Sequence, residues 1–230
     1  CHGTAMATKC NKYGNIGDQV LIPLFEDQNR LPNNTTVGLD RSQSKLIREA
    51  ISSEGFDGKR GCSLTLWTPG CRIHLLGLGQ RDDFDSDSAR VLGARFISSV
   101  SKKNGISLTT RMMTGWTAET ISAFVEGVLL RDYEFTEHQD VGSDYIVDDW
   151  ELDVQVADRN VNEVRQKLEL AEAIVSGVHL CRDLGNEPAN VLYPMEYANR
   201  ALSWAGSKAN IEVEVYDWDR LHEVGMGGLI

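Results

Sequence analysis

Residues 181 to 194 read Cys-Arg-Asp-Leu-Gly-Asn-Glu-Pro-Ala-Asn-Val-Leu-Tyr-Pro, and this stretch decides how the chain is divided. Ahead of it, Val161, Val164, Leu168, Ala171, Val175, Val178 and Cys181 recur every three or four residues, the spacing of one buried face on an amphipathic helix. Such a helix is roughly 30 Å long at 1.5 Å per residue. Asn160 with Glu163 has the pattern of a capping box at its start. Gly185 is expected to end the helix, and Pro188 to bar its resumption. Pro194 suits a first helical position, where its missing N–H costs nothing. Asn186 and Asn190 suit a bent, partly buried connection. The chain is therefore expected to comprise an α/β domain over 1–157, a linker helix over 158–184 and the beginning of a second α/β domain over 185–230.

Upstream of the junction, short apolar runs alternate with helical patterns. Gln19 to Phe25 reads as a buried strand. Asp40 precedes Leu46, Ile47, Ala50 and Ile51 at helical spacing. Cys62 to Thr68 and Arg72 to Leu78 read as strands about the turn signal Pro69-Gly70. Asp85, Ser86 or Asp87 caps a helix that carries Ala89, Leu92, Gly93, Phe96, Ile97 and Val100 on one face; Lys102-Lys103 suit its C-terminal dipole, and Gly105 closes it. Ile106 to Thr110 is a short strand. Thr117 caps a further helix with Ile121, Phe124, Val125, Val128 and Leu129 on its apolar face. Gly127 inside that helix costs roughly 1 kcal/mol relative to Ala, which implies a closely packed neighbour. Tyr145 to Val156 supplies one or two strands. Strands alternating with helices imply a mixed or mostly parallel sheet flanked by helices. Beyond Pro194, Met195, Ala198, Ala201, Leu202 and Ala205 mark a helix, Ile211, Val213 and Val215 one face of a strand, and Asp217 or Asp219 the start of a helical turn.

The 230 residues are 41% hydrophobic and 25% charged, as expected of a globular protein with a substantial core. No apolar run approaches the roughly 18 residues needed to span a bilayer, and the first ten residues contain no apolar signal core. The net charge is −11, with an acidic balance both before and after residue 150. Such a surface repels phosphate backbones and argues against nucleic acid as a partner. Cys1, Cys10, Cys62, Cys71 and Cys181 are odd in number and irregularly spaced, which favours reduced thiols in a cytoplasmic protein over a disulfide framework. The chain begins without Met and ends on Leu229-Ile230 after Gly225, Gly227 and Gly228. That reads as an N-terminal portion of a longer protein.

Residue patterns alone do not supply a reaction. Gly77-x-Gly79 lacks the third glycine of a dinucleotide fingerprint, and Arg81-Asp82-Asp83 follows where a pyrophosphate would lie, so a plain strand-end turn is expected. Cys62, Cys71 and His74 fall on expected strands rather than on the turns that structural zinc favours. His179 and Cys181 diverge on a helix, which leaves Cys181 to pack as a small apolar residue. His2, His74, His138, His179 and His222 lack a recognisable partner, and no Gly-x-Ser-x-Gly elbow is present. Asp82-Asp83 and Asp148-Asp149 read as solvated loop or strand ends. Arg182-Asp183 reads as a structural pair at a helix end.

Arg182-Asp183-Leu184-x-Asn186-x-Pro188-x-Asn190, followed by Pro194, resembles the opening of the catalytic domain in the leucyl aminopeptidase family, the hexameric two-zinc cytosol aminopeptidases. Val224-Gly-Met-Gly-Gly-Leu-Ile230 resembles the family's next landmark. Leu75-Leu-Gly-Leu-Gly79, the run Arg90 to Ala94, and Glu126-Gly-x-x-Leu-x-x-Tyr133-x-Phe135 match it upstream and in order. The resemblance implies a macro-domain-like N-terminal unit, a connecting helix and a peptidase domain that removes N-terminal residues such as leucine from peptides. It also implies a homo-hexamer and a pair of divalent ions, Zn with Mn or Co as alternatives, that polarise the scissile carbonyl and activate water. The family's lysine-containing segment and its Asn-Thr-Asp-Ala-Glu-Gly-Arg block are not in this sequence and are expected beyond Ile230, so no catalytic, metal-binding or cofactor-binding residue is assigned here. An inactive homologue, a ligand-binding macro-like module with Gly77-x-Gly79 at a strand end, and an oligomeric scaffold are the alternatives. Tyr193 stands where the family commonly has Thr. That substitution costs a helix cap about 1 kcal/mol locally, and the Tyr193 ring is expected to pack as a hydrophobic staple instead.

Overall fold

The computed structural model describes residues 6–28, 31, 33–53, 55–100, 106–112, 115–138 and 150–229. It divides into two compact units, Cys1–Cys181 and Arg182–Ile230.

The first unit is built on a six-stranded sheet in the order β1-β6-β5-β2-β4-β3. The strands are β1 (Met6–Lys12), β2 (Gln19–Phe25), β3 (Ser63–Thr68), β4 (Cys71–Gly79), β5 (Ser107–Arg111) and β6 (Trp150–Val156). All neighbours are parallel except β3, which runs antiparallel to β4 at the edge. The expected mixed sheet flanked by helices is thus present. β2 is buried over its whole length because both faces are covered. Val20, Ile22 and Leu24 join Ile73, Leu75 and Ile47 and Ala50 of α1 (Arg41–Ser52) on one side. Leu21 joins the larger cluster on the other side, formed with α2 (Ser86–Ser99), α3 (Ala118–Arg131) and α4 (Val161–Asn186).

The expected cap at Thr117 is in place, Asp85 is the cap among its three candidates, and Asp40, which precedes its helix, caps it as well. Each side chain accepts the N–H of the residue three positions on, at Gln43, Ser88 and Thr120. Helices α2 and α3 cross where two glycines meet. A Cβ on Gly127 would overlap the Arg90 carbonyl, and one on Gly93 would overlap the Phe124 carbonyl. At the same crossing Arg90 Nε donates to Glu126 at 3.1 Å. The landmarks Arg90–Ala94 and Glu126-Gly127 are therefore the two halves of one helix contact.

Several expectations need correction. β1 has no counterpart in the sequence reading. Ala7 and Lys9 are exposed, and Cys10 is its only side chain shown as buried, so this edge strand carries too little apolar signal to stand out. The chain enters α4 through a 3-10 turn, Asp158–Asn160, rather than from an extended cap at Asn160. α4 continues through Gly185 to Asn186, because a helix tolerates glycine until Pro188 removes a donor. Its buried face is Val161, Val164, Leu168, Ala171, Val175 and His179. Val178 is half-buried and Cys181 is exposed, the result of a final step of four rather than three. Lys102-Lys103, Gly105 and residues 145–149 lie outside the described residues. Among the described residues no helix is long and apolar enough to cross a membrane.

The second unit contains α5 (Pro194–Ala205) and α6 (Trp218–Glu223). Pro194 opens α5 as expected, and Tyr193 at the cap position makes no side-chain capping bond. The Tyr193 ring is 51% exposed, so it does not serve as the expected staple. Ile211, Val213 and Val215 form no strand. Their alternation is right for a sheet surface, but among the described residues this unit offers no neighbouring strand to pair with.

Candidate functional site

The first unit opens to a cavity of about 390 Å³ at the C-terminal end of β2. Parallel sheets place ligand crevices at such strand ends, above all where strand order reverses. β2 is that place: the chain passes from it to β3 and β4 on one side, then to β5 on the other. The cavity is lined by Leu24, Phe25, Glu26 and Gln28 after β2, by Ile51 and Ser52 in the last turn of α1, and by Gly55, Phe56, Asp57 and Gly58. Gly58 has a positive φ of 71°, and a Cβ there would press on the Phe25 carbonyl. The Phe56 N–H donates to the Ala50 carbonyl at 3.2 Å, holding the loop against the end of α1.

The neighbouring ends of β1, β5 and β6 carry a buried polar network instead. The fully buried Arg111 donates to the carbonyls of Asn34, Gly14 and Val37. Its Nε has no partner among the described residues. Burial pulls its pKa below the ordinary arginine value, against the opposing influence of Tyr13 and Asp153. Asp153 accepts from Asn11 at 2.8 Å and from Gln155 at 2.9 Å. Gln155 also donates to the Asn15 carbonyl and accepts from the Gly14 N–H. The arrangement fastens loops by their backbone. Its guanidinium is committed to carbonyls and is not aimed into an open site.

The residues singled out in the sequence are dispersed. Gly77 and Gly79 are not a turn; they belong to β4, and the preceding loop pairs with them. Gly77 donates to the Cys62 carbonyl, Gly79 donates to the Gly58 carbonyl, and Gly61 donates to the Gly77 carbonyl. A Cβ on Gly77 would overlap the Lys59 carbonyl. The glycines allow this backbone approach. His74 is a satisfied core residue. Its Nε2 lies 2.7 Å from Gln19 Oε1 and its Nδ1 lies 3.1 Å from Thr65 Oγ1, and burial lowers its pKa to about 4. Cys62, Cys71 and His74 do not form a metal cluster; Cys62 Sγ instead reaches Asp57. Cys10, Cys62, Cys71 and Cys181 are free thiols. Burial pushes the Cys10 thiol up to about 11. Asp82 and Asp83 are exposed in a 3-10 turn, as expected. Asp148, Asp149 and His2 lie outside the described residues. His179 is buried with its ring 5.1 Å from that of Tyr133, and His222 stacks edge-on against Trp218. His138 is exposed.

In the second unit, Arg182, Asp183 and Asn186 lie in the last turns of α4, and Asp183 accepts the Glu187 N–H. Glu187 follows Asn186 and carries no pattern of its own in the sequence. Its side chain is only 3% exposed and accepts from Arg200 Nη1 at 3.0 Å, while Arg200 Nε holds Glu196 at 3.0 Å. The available signal was Glu196 and Arg200 at a helical spacing of four. Within either unit taken by itself, the described residues bring no three His, Cys, Asp or Glu side chains close enough to share an ion.

Residues 21–140 match the family model described as the cytosol aminopeptidase family, N-terminal domain. A "Probable cytosol aminopeptidase" of Methylobacterium radiotolerans is 32% identical, the match covering 94% of this chain and 43% of the relative. One from Methylorubrum extorquens is 31% identical with the same two coverages. A solved tomato leucine aminopeptidase variant superposes with a TM-score of 0.75 at 25% identity, covering 97% of this chain and 47% of its own. The bottromycin maturation enzyme BotP in complex with Mn shares the fold, with a TM-score of 0.64 at 21% identity over 92% of this chain and 41% of its own. The chain thus spans less than half the length of these relatives.

Proposed function

Because the chain belongs to the cytosol aminopeptidase family, with residues 21–140 as its N-terminal domain, we propose that it forms the N-terminal part of a metal-dependent aminopeptidase. That enzyme releases N-terminal residues such as leucine from peptides. The observation that carries the reading is the reach of the likeness to the tomato leucine aminopeptidase. It covers 97% of the chain and so extends past the N-terminal domain, through α4 and into the unit that begins at Arg182. The Arg182–Asn190 block and its Pro194 lie in that added length. The leucyl aminopeptidase family resemblance further implies two divalent ions, Zn with Mn or Co as alternatives, a homo-hexamer, and a cytoplasmic location. Among the described residues of either unit, no three His, Cys, Asp or Glu side chains lie close enough to share one of these ions. Their ligands are assigned to the part of the relatives' length that this chain does not span, and no catalytic or metal-binding residue is assigned within it.

Hydrolysis of leucine p-nitroanilide tests the proposal. The 230-residue chain alone is expected to show no turnover with added Zn²⁺, Mn²⁺ or Co²⁺. The same chain continued to the length of its relatives is expected to show metal-dependent turnover. Turnover by the 230 residues alone would overturn the placement of the active site, and an inactive longer protein would overturn the activity.

A further inference from the structure

We propose that the cavity at the end of β2 binds a small primary amine with an apolar body, the class that includes amino-acid amides and the N-termini of short peptides. The proposal is independent of the peptidase reading. The volume of about 390 Å³ lies in the range of small-molecule sites, which are typically apolar with a few placed polar groups. Leu24, Ile51 and Phe56 supply the apolar wall. Among the described residues that line the cavity, the only charged side chains are Glu26 and Asp57. Asp57 is matched by Lys59 at 2.7 Å. The Glu26 N–H donates to the Gly79 carbonyl, while its carboxylate forms no hydrogen bond or ion pair among the described residues and acts on Lys59 only through space; two carboxylates thus face one ammonium, and the mouth retains one net negative charge. Ile51 and Ser52 close the last turn of α1, where unpaired carbonyls concentrate the negative end of the helix dipole. The Glu49 and Ala50 carbonyls are taken by Ser53 and Phe56. Side-chain charge and helix polarity therefore agree in sign: an ammonium is favoured and a phosphate or carboxylate is repelled.

Three probes of one shape and different charge decide the matter: isoamylamine, isoamyl alcohol and isovalerate. They are titrated into the 230-residue chain to about 10 mM, the range that resolves a Kd near 1 mM. Isoamylamine is expected to bind, and the alcohol and the acid to bind roughly three- to tenfold more weakly, the scale of one partly exposed ionic contact. E26Q is expected to erase that preference while leaving binding of the alcohol unchanged. In the unaltered chain, methyl NMR signals of Leu24 and Ile51 are expected to shift with the amine while those of Ile97 and Leu152 stay fixed, which places the ligand without any variant. Equal binding of all three probes, no binding of the amine, or shifts confined to methyls outside the cavity would each overturn the proposal.

Discussion

His74 shows how one residue's burial sets a pH dependence. Its ring sits between Gln19 and Thr65 and edge-on to Phe96, and burial lowers its pKa from an ordinary 6.5 to about 4. The folded-state value is the depressed one, so the unfolded chain takes up the proton first as pH falls. The stability this residue contributes is complete above pH 6.5 and is lost progressively down to about pH 4. The full difference is about 3 kcal/mol at 1.36 kcal/mol per unit. Urea denaturation between pH 7 and 5 is expected to show the chain losing stability, with a smaller loss in His74→Gln. A ring that titrates near 6.5 by NMR would refute the account. The sequence showed a histidine at a strand position; the two partners 55 and 9 residues away that make it a core residue were not visible in it.

At the scale of the element, glycine is the sharper test, because the same substitution should act in opposite directions in two helices. Replacing a mid-helix Gly by Ala gains roughly 0.5–1 kcal/mol of propensity. At Gly177 a Cβ meets nothing within 4 Å, so Gly177→Ala is expected to stabilise the chain by about that amount. At Gly127 the Cβ would overlap the Arg90 carbonyl. Backbone cannot step aside as a flexible side chain can, and overpacking of this kind typically costs about 1–3 kcal/mol. Gly127→Ala is therefore expected to destabilise despite the better propensity, as read by denaturant midpoints of the two variants. Equal signs at the two sites would show that the α2–α3 crossing yields. Element boundaries were legible where a cap or proline marked them, as at Thr117 and Pro194. They were not legible where pairing decides. β1 is a strand because β6 lies beside it, whereas Ile211–Val215 has the better alternation and, among the described residues of its unit, no strand beside it.

For the whole molecule, the clearest long-range device is Arg111. It ties β5 to Gly14, Asn34 and Val37, which are 97, 77 and 74 residues away in sequence. Arg111→Met would leave those carbonyls without their donor and Asp153 with Lys9 but without the guanidinium's charge. A loss of about 2–4 kcal/mol is expected in urea denaturation, the usual cost of stranding buried polar groups. Faster proteolysis within residues 33–38 is expected to accompany it. A variant within about 0.5 kcal/mol of the parent, the range of an ordinary surface change, would show that the loops hold without the latch. No sequence pattern marked this arginine, since a lone Arg after Thr-Thr reads as a strand end. Its role arises from two loops folding over it.

The sequence by itself determined the α/β class, the helix starts near Asp85 and at Thr117, and, through ordered landmarks, the family. These are local or collinear properties: periodicity, capping and motif order survive when the chain is read as a line. Tertiary structure decided which side chains face one another. It turned Gly77-x-Gly79 from an expected strand-end turn into a closed backbone contact, made Arg90–Glu126 and Gly93–Gly127 one helix crossing, and moved the end of the buried face of α4 from Cys181 to His179. It also formed the cavity at the end of β2 from three separate segments. The physical reason is the same in each case. Burial and electrostatic surroundings are set by neighbours distant in sequence, and a linear pattern carries no information about which neighbours those are.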